Sequence, residues 1–114
     1  MKSQRAYFQH VLACIGRIAE DAASGRNGVL SSHTLQDAII RNLQVLCESV
    51  RRIDSIHKDL RPEIDWKSIA GMRNVLVHDY FEVDFEALWD VVTRDLPPLE
   101  TAVRSILAGM APEE

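Results

Sequence analysis

Residues 66–84 of this 114-residue chain read WKSIAGMRNVLVHDYFEVD. Apolar residues recur in this stretch at helical spacing, which predicts a helix from Trp66 to about Asp79, with Asp65 as its N-cap. At ~100° per residue, one side of this helix carries an apolar arc made of Ile69, Met72, Leu76 and Tyr80. The other side is polar or small and carries Lys67, Gly71, Asn74 and His78, with Arg73 beside Asn74.

The segments around this helix are helical in pattern as well. The other predicted helices span residues 3–24, about 31–58, the stretch after a second N-cap at Asp84, and 99–107. Glycines within residues 24–28 end the first helix, and Pro97-Pro98 kinks or restarts the chain before the last one. No segment shows the period-2 alternation of a strand. We therefore predict an all-α fold, an antiparallel up-and-down bundle of four to five helices in one domain, residues 1–114.

Composition excludes several classes of protein. Hydrophobic residues make up 46% and charged residues 26% of the chain, as in ordinary globular proteins. No apolar run approaches the ~20 residues of a membrane span, and the first ten residues lack the pattern of a signal peptide, so we expect a cytoplasmic protein. Cys14 and Cys47 are predicted to be buried free thiols, and the scattered histidines predict no metal site and no cofactor.

Charge is distributed unevenly along the chain. The net charge is −4, but residues 74–114 hold nine acidic and two basic side chains, whereas residues 51–73 hold four and six. This is not the pattern of a protein that grips a long duplex by its phosphates. It is compatible with a small phosphate-binding cleft and with a partner that docks on the acidic end.

Arg73, Asn74 and His78 form a set suited to RNA cleavage without a metal. Arg73 and His78 are ~7.5 Å apart along the helix axis, close enough to reach one phosphodiester. A histidine can move the protons of the 2′-hydroxyl and of the leaving 5′-oxygen, and an arginine can stabilise the charge on the phosphate. One histidine cannot readily act as base and acid at once. A two-fold dimer would supply two, and the product would be a 2′,3′-cyclic phosphate.

The spacing of Arg73 and His78 does not by itself single out this pair. Each of the four histidines follows an arginine by five or seven residues, as in Arg5–His10 and Arg52–His57. The surrounding sequence must therefore distinguish Arg73–His78 from the others.

That surrounding sequence resembles the HepT-like toxins of the HEPN group. Residues 71–80, GMRNVLVHDY, followed by FEVD and then Trp89, resemble the motif region of the family, and residues 36–49, QDAIIRNLQVLCES, resemble its second helix. Two further segments, PEIDWKSI and DLPPLE, are also similar, so the resemblance covers nearly the whole chain. Cys47 and Asp79 depart from it, because glycine is usual or common at both positions.

The resemblance implies a dimer-forming helical bundle with a cleft built from two copies of an Arg-x4-His motif. It implies a metal-independent endoribonuclease that is the toxin of a type VII-like toxin–antitoxin system. The implied partner is a minimal nucleotidyltransferase antitoxin that transfers AMP to Tyr80, with RNA as the substrate of the toxin.

Other interpretations of the same residues stay open. Arg73 could form a salt bridge to an acidic residue of a neighbouring helix, Asn74 could be solvated, and the ring of Tyr80 could be packed. Arg41 and Lys67 are weaker candidates for binding RNA phosphates. The chain could also be a non-catalytic nucleotide- or RNA-binding partner of a nucleotidyltransferase, or a plain helical dimerisation partner.

Overall fold

The computed structural model describes residues 3–78 and 84–111, with residues 77 and 78 as backbone only. The described part is helical and contains no strand, which confirms the all-α prediction. Its α-helices, in chain order, are α1 Gln4–Asp21, α2 Gly25–Leu30, α3 His33–Arg51, α4 Ser55–Lys58, α5 Trp66–His78, α6 Phe85–Asp90 and α7 Leu96–Ala108.

The long helices pack antiparallel, as predicted. The start of α1 lies beside the ends of α3 and α7, because Gln4 hydrogen-bonds the backbone of Arg52, and Arg5 donates to the carbonyls of Met110 and Ala111. Helix α3 lies between α1 and α5 and contributes seven of the buried side chains. The fully buried side chains include Phe8, Ile18, Ile39, Leu43, Leu46 and Leu99.

The break after α1 differs from the prediction. The first helix ends at Asp21, and the segment predicted as a break contains a short helix, α2. Gly25 adopts φ +82°, a left-handed conformation that only glycine adopts without strain, so the chain turns there and becomes helical again. Val29 of α2 is fully buried, which explains why this short helix packs on the bundle.

The second predicted helix was too long. Ser32 caps α3 by accepting a hydrogen bond from the amide of Leu35, but α3 ends at Arg51 and α4 is separate. At the break, the side chain of Gln4 accepts from the amide of Asp54 at 2.7 Å and donates to the carbonyl of Arg52 at 3.3 Å. Helix α1 therefore supplies partners for the backbone groups that the interruption of the helix leaves open.

The last third of the described chain is one irregular helix. Asp84 caps α6, accepting from the amide of Glu86 at 2.9 Å, as the sequence predicted. A π-helical turn, Val91–Asp95, joins α6 directly to α7, so the helix does not stop at Pro97-Pro98. Prolines cannot donate to the preceding turn, and the irregular turn lies where those donors are missing. Helix α7 ends before Gly109, as predicted.

Both cysteines are buried free thiols, which confirms that prediction. In the described part of the chain, no helix combines the length and the apolar character that crossing a membrane would require.

Candidate functional site

Helix α5 is fixed at its N-terminus by two side chains. The carboxylate of Asp65 accepts from the amide and the hydroxyl of Ser68, at 3.1 and 2.8 Å, and these hydrogen bonds lower the pKa of Asp65. The buried indole of Trp66 donates to the carbonyls of Lys58 and Arg61. Both anchors act on the first turn, and they set the direction of the helix that carries the candidate catalytic residues.

The predicted apolar arc of α5 faces the bundle. Leu76 is 3% exposed, and Ile69 and Met72 are partly buried against the core. Tyr80, the fourth member of the arc, lies outside the described residues, and so does its predicted role as a modification site. His78 is the last residue of α5, and only its backbone is described.

Arg73 lies between the buried and the exposed sides of α5. Its Nε atom is 2.9 Å from Oε2 of Glu48 on α3, and the two side chains are 35% and 30% exposed. The salt bridge to a neighbouring helix, which was left open as the structural alternative for Arg73, is therefore present. Since Nε makes this contact, the terminal nitrogens of the guanidinium can still be presented to a phosphate.

Glu48 connects Arg73 to two further arginines. Its Oε1 accepts from Nε of Arg52 at 3.2 Å, and its Oε2 lies 3.8 Å from Nη1 of Arg51. Oε2 itself is buried, and among the described residues no donor meets it with the geometry of a hydrogen bond. The contact of this oxygen with Arg73 is thus electrostatic. Loss of Arg73 would leave the negative charge on the buried oxygen with less opposite charge nearby.

Gln44, one helical turn before Glu48, holds the other end of α5. Its Nε2 donates to the carbonyl of Leu76 at 3.0 Å, one of the last four carbonyls of the helix, which lack partners within it. Arg41 lies one further turn back on α3 and is exposed. Since α3 and α5 are antiparallel, Arg41 is at the end of α5 where His78 lies.

The solvent side of α5 has the composition that the sequence predicted. Lys67, Gly71 and Asn74 are exposed, and Val75 is 52% exposed. A Cβ atom added to Gly71 would meet nothing within 4 Å. Lys67 lies in the first turn and Arg41 beside the last, so the two candidate phosphate-binding residues flank the Arg73–His78 segment from opposite ends.

Sequence reasoning missed the roles of Glu48 and Gln44. Both lie on one face of the second helix at a spacing of four, and Glu48 is part of the family-like segment, so a signal was present. What the sequence did not give was the pairing of that face with α5. Across the described residues, no three His, Cys, Asp or Glu side chains converge as metal ligands would.

Comparison with known proteins assigns the family. Residues 11–106 match the family described as Ribonuclease HepT-like. The chain belongs to the HepT-like ribonuclease family. The family predicted from residues 36–49 and 66–84 is thereby confirmed.

The relatives of this HepT-like chain include proteins from bacteria and archaea. A Caldanaerobacter subterraneus protein named as an RNase is 31% identical over 94% of this chain and 96% of its own. A Thermococcus cleftensis protein named as ribonuclease HepT is 43% identical over 57% of this chain and 59% of its own. A Methanocaldococcus jannaschii protein named as a gamma-glutamylcyclotransferase and RNase is 31% identical over 93% of this chain but 48% of its own. No solved structure matches the chain.

Proposed function

We propose that this chain is a cytoplasmic toxin that cleaves RNA without a metal, with Arg73, Asn74 and His78 as its catalytic residues. The observation that carries the proposal is the placement of Arg73. Glu48 of α3 contacts the guanidinium of Arg73. Arg73 lies on α5, the helix that exposes Asn74 and ends at His78. A guanidinium held in place before the substrate arrives is what electrostatic stabilisation of a phosphorane requires.

The proposed reaction is an internal transesterification. His78 takes the proton of the ribose 2′-hydroxyl, and the 2′-oxygen attacks phosphorus. The bond from phosphorus to the 5′-oxygen breaks, and His78 of a second copy gives that oxygen a proton. Arg73 stabilises the charge on the nonbridging oxygens. The products are a 2′,3′-cyclic phosphate and a 5′-hydroxyl, so no water is consumed in this step.

We further propose that two copies pair through the exposed side of α5. This side carries Gly71, Asn74 and the exposed Val75. At Gly71, a helix of the second copy or an RNA strand could approach the backbone of α5. A glycine inside a helix costs roughly 0.5–1 kcal/mol relative to alanine, and within the described part of the chain nothing lies within 4 Å of a Cβ added at Gly71. A partner surface at this position would offset that cost.

The cognate partner that we propose is a minimal nucleotidyltransferase antitoxin of a type VII-like system, which would transfer AMP to Tyr80. Membership of the HepT-like family supports this partner, and the excess of acidic over basic side chains in residues 74–114 suits a partner with a basic surface. A nucleotide on Tyr80, two residues after His78, would add negative charge beside the cleft and repel RNA.

The same contact is also compatible with a second function. The Arg73–Glu48 contact is what a purely structural arginine would also make, and it suits a non-catalytic RNA- or nucleotide-binding partner of the nucleotidyltransferase. The two functions differ in their need for His78, because binding alone requires no group that transfers protons.

The deciding experiment uses protein expressed without the nucleotidyltransferase. We would incubate labelled RNA in excess EDTA with the wild type and with His78→Ala, and measure growth inhibition in cells. The control is His33→Ala, which alters an exposed histidine at the start of α3. We expect cleavage and toxicity to disappear only in His78→Ala. Intact activity in His78→Ala would refute the proposed mechanism, and RNA binding without cleavage would favour the second function.

A further inference from the structure

A groove of about 600 Å³ lies at the start of α5, away from His78. Its apolar lining includes Pro62, Ile64, Trp66 and Ala70, and its cations are Arg51, Lys58 and Lys67. Trp66 is buried and fixed by two hydrogen bonds to backbone carbonyls. The groove therefore joins a firmly positioned apolar surface to three positive charges.

The groove is connected to Arg73 through one carboxylate. Nε of Arg73 and Nη1 of Arg51 lie 2.9 and 3.8 Å from the same oxygen, Oε2 of Glu48. Arg73 thus stands beside Arg51, and Arg51 lines the groove. Lys67 extends the positive charge along α5, six residues and about 9 Å of helix before Arg73.

Three acidic residues also line the groove, but two of them are engaged elsewhere. Both carboxylate oxygens of Asp65 accept hydrogen bonds from Ser68, and Glu63 lies 4.0 Å from Arg61, which is outside the groove. Asp59 can accept a hydrogen bond from a base amino group. Burial lowers the pKa of Lys58, so this ammonium gains from an anion that replaces lost water contacts.

We propose that this groove binds the nucleotide of the RNA strand next to the scissile phosphate, with Arg51, Lys58 and Lys67 on its phosphates and its base on the apolar lining. The proposal rests on the proposed function, since it takes Arg73 as the residue that binds the scissile phosphate. It gives the enzyme a substrate class, single-stranded RNA that extends beyond the cleaved bond. Single strands fit because a base can lie on the lining only when it is unpaired.

The test is the affinity for RNA in a background that does not cleave. We would measure fluorescence anisotropy of a labelled single-stranded RNA oligonucleotide with His78→Ala, and with His78→Ala carrying Lys58→Gln and Lys67→Gln. Arg51 is retained because it also contacts Glu48. The matched control replaces Arg17 and Arg104 with Gln, two exposed cations that do not line the groove. Thermal melts establish that each variant is folded.

The expected result is a roughly tenfold rise in Kd for the groove variant, with the slope of log Kd against log salt reduced by about 1.4, since each single-strand phosphate contact contributes ~0.7. The control variant should match the parent. Equal affinity in groove variant and parent, or equal losses in groove and control variants, would overturn the proposal.

A second measurement separates the groove from the ribonuclease itself. The two groove substitutions, Lys58→Gln and Lys67→Gln, are also made in protein that keeps His78. There, kcat/KM for the oligonucleotide should fall about tenfold relative to kcat/KM for a dinucleoside monophosphate. If the groove substitutions leave this preference for the longer substrate unchanged, the proposed role of the groove is wrong and the proposed ribonuclease activity is unaffected. If the wild type cleaves no RNA but the groove substitutions still raise the Kd for RNA, the proposed ribonuclease activity is wrong and the groove remains an RNA-binding site.

Discussion

Oε2 of Glu48 on α3 lies 2.9 Å from Nε of Arg73 on α5. The carboxylate comes from α3 and the guanidinium from α5, so the packing of these helices sets the position of the arginine. The same oxygen is buried without an aligned hydrogen-bond donor among the described residues. Arg73 is therefore expected to support both the fold and the chemistry, and the two contributions can be separated by experiment.

Removing Arg73 alone should destabilise the fold. Arg73→Gln leaves the buried Oε2 of Glu48 with a weaker charge partner, and we expect a loss of about 1 kcal/mol because the pair is one-third exposed and two other arginines remain near it. Glu48→Gln combined with Arg73→Gln should recover most of this loss. Urea denaturation checks the stabilities. Neither variant should cleave RNA, and cleavage by the double variant would remove Arg73 from the mechanism.

Gln44 should position the end of α5 that carries His78. Gln44→Ala removes the donor to the Leu76 carbonyl, and we expect kcat to fall about fivefold with little change in KM, since a displaced catalytic group slows the chemical step. The matched control is Gln36→Ala, which removes the donor to the carbonyls of Val29 and Leu30 at the end of α2. Each variant should lose about 1 kcal/mol of stability. Equal kcat values for the two variants would mean that Gln44 has only a structural role.

Gly71 should matter for assembly and not for the fold of one chain. Gly71→Trp places a large side chain on the exposed side of α5, and we expect sedimentation to show a shift from dimer to monomer. The control is Gly16→Trp, because Gly16 is also exposed in a helix and also has nothing within 4 Å of an added Cβ. Gly71→Ala should stabilise the monomer by roughly 0.5–1 kcal/mol. A Gly71→Trp protein that remains dimeric would place the interface elsewhere.

Cys47 should make stability depend on pH under alkaline conditions. Burial, with a smaller contribution from Cys14, raises the pKa of Cys47 to about 12. An unfolded thiol ionises near pH ~8.5, so the folded chain keeps a proton that the unfolded chain loses. The free energy of unfolding should be unaffected below that pH and fall as pH rises toward 12, by up to ~1.4 kcal/mol per pH unit.

The control for this pH effect is a second substitution that creates a cavity in the core without removing a thiol. Cys47→Ala should lower the overall stability but reduce the alkaline slope, whereas Val11→Ala, also fully buried, should lower stability and keep the slope of the wild type. Denaturant titrations at several pH values check both variants. The same slope in Cys47→Ala and in the wild type would show that other groups cause the pH dependence.

The sequence predicted the elements whose signals are local. Periodicity and N-caps identified α1, α3, α5 and α6, and the apolar arc of α5 faces the core as the angles required. The break after Arg51 escaped prediction because Gln4, about fifty residues away, supplies the hydrogen bonds that stabilise it. Pro97-Pro98 predicted an irregularity before the last helix, but the residue pattern did not specify that it takes the form of a π-helical turn.

The candidate site could be predicted as a set of residues but not as a contact network. Arg73, Asn74 and His78 share one helix, so their relation follows from helical geometry alone. Glu48 and Gln44 act from another helix, and their pairing with Arg73 and Leu76 depends on the register of α3 against α5. Sequence periodicity reports which face is buried and carries no information on that register.

The most direct test of the central claim is the mass of the fragments that the enzyme leaves when it cleaves RNA in excess EDTA. The account predicts 5′-fragments that end in a 2′,3′-cyclic phosphate and 3′-fragments that begin with a 5′-hydroxyl. It also predicts that one 2′-deoxyribose at the cleaved position protects that bond. Fragments ending in a free 3′-hydroxyl, or cleavage after the deoxyribose, would contradict attack by the 2′-oxygen and the roles assigned to His78 and Arg73.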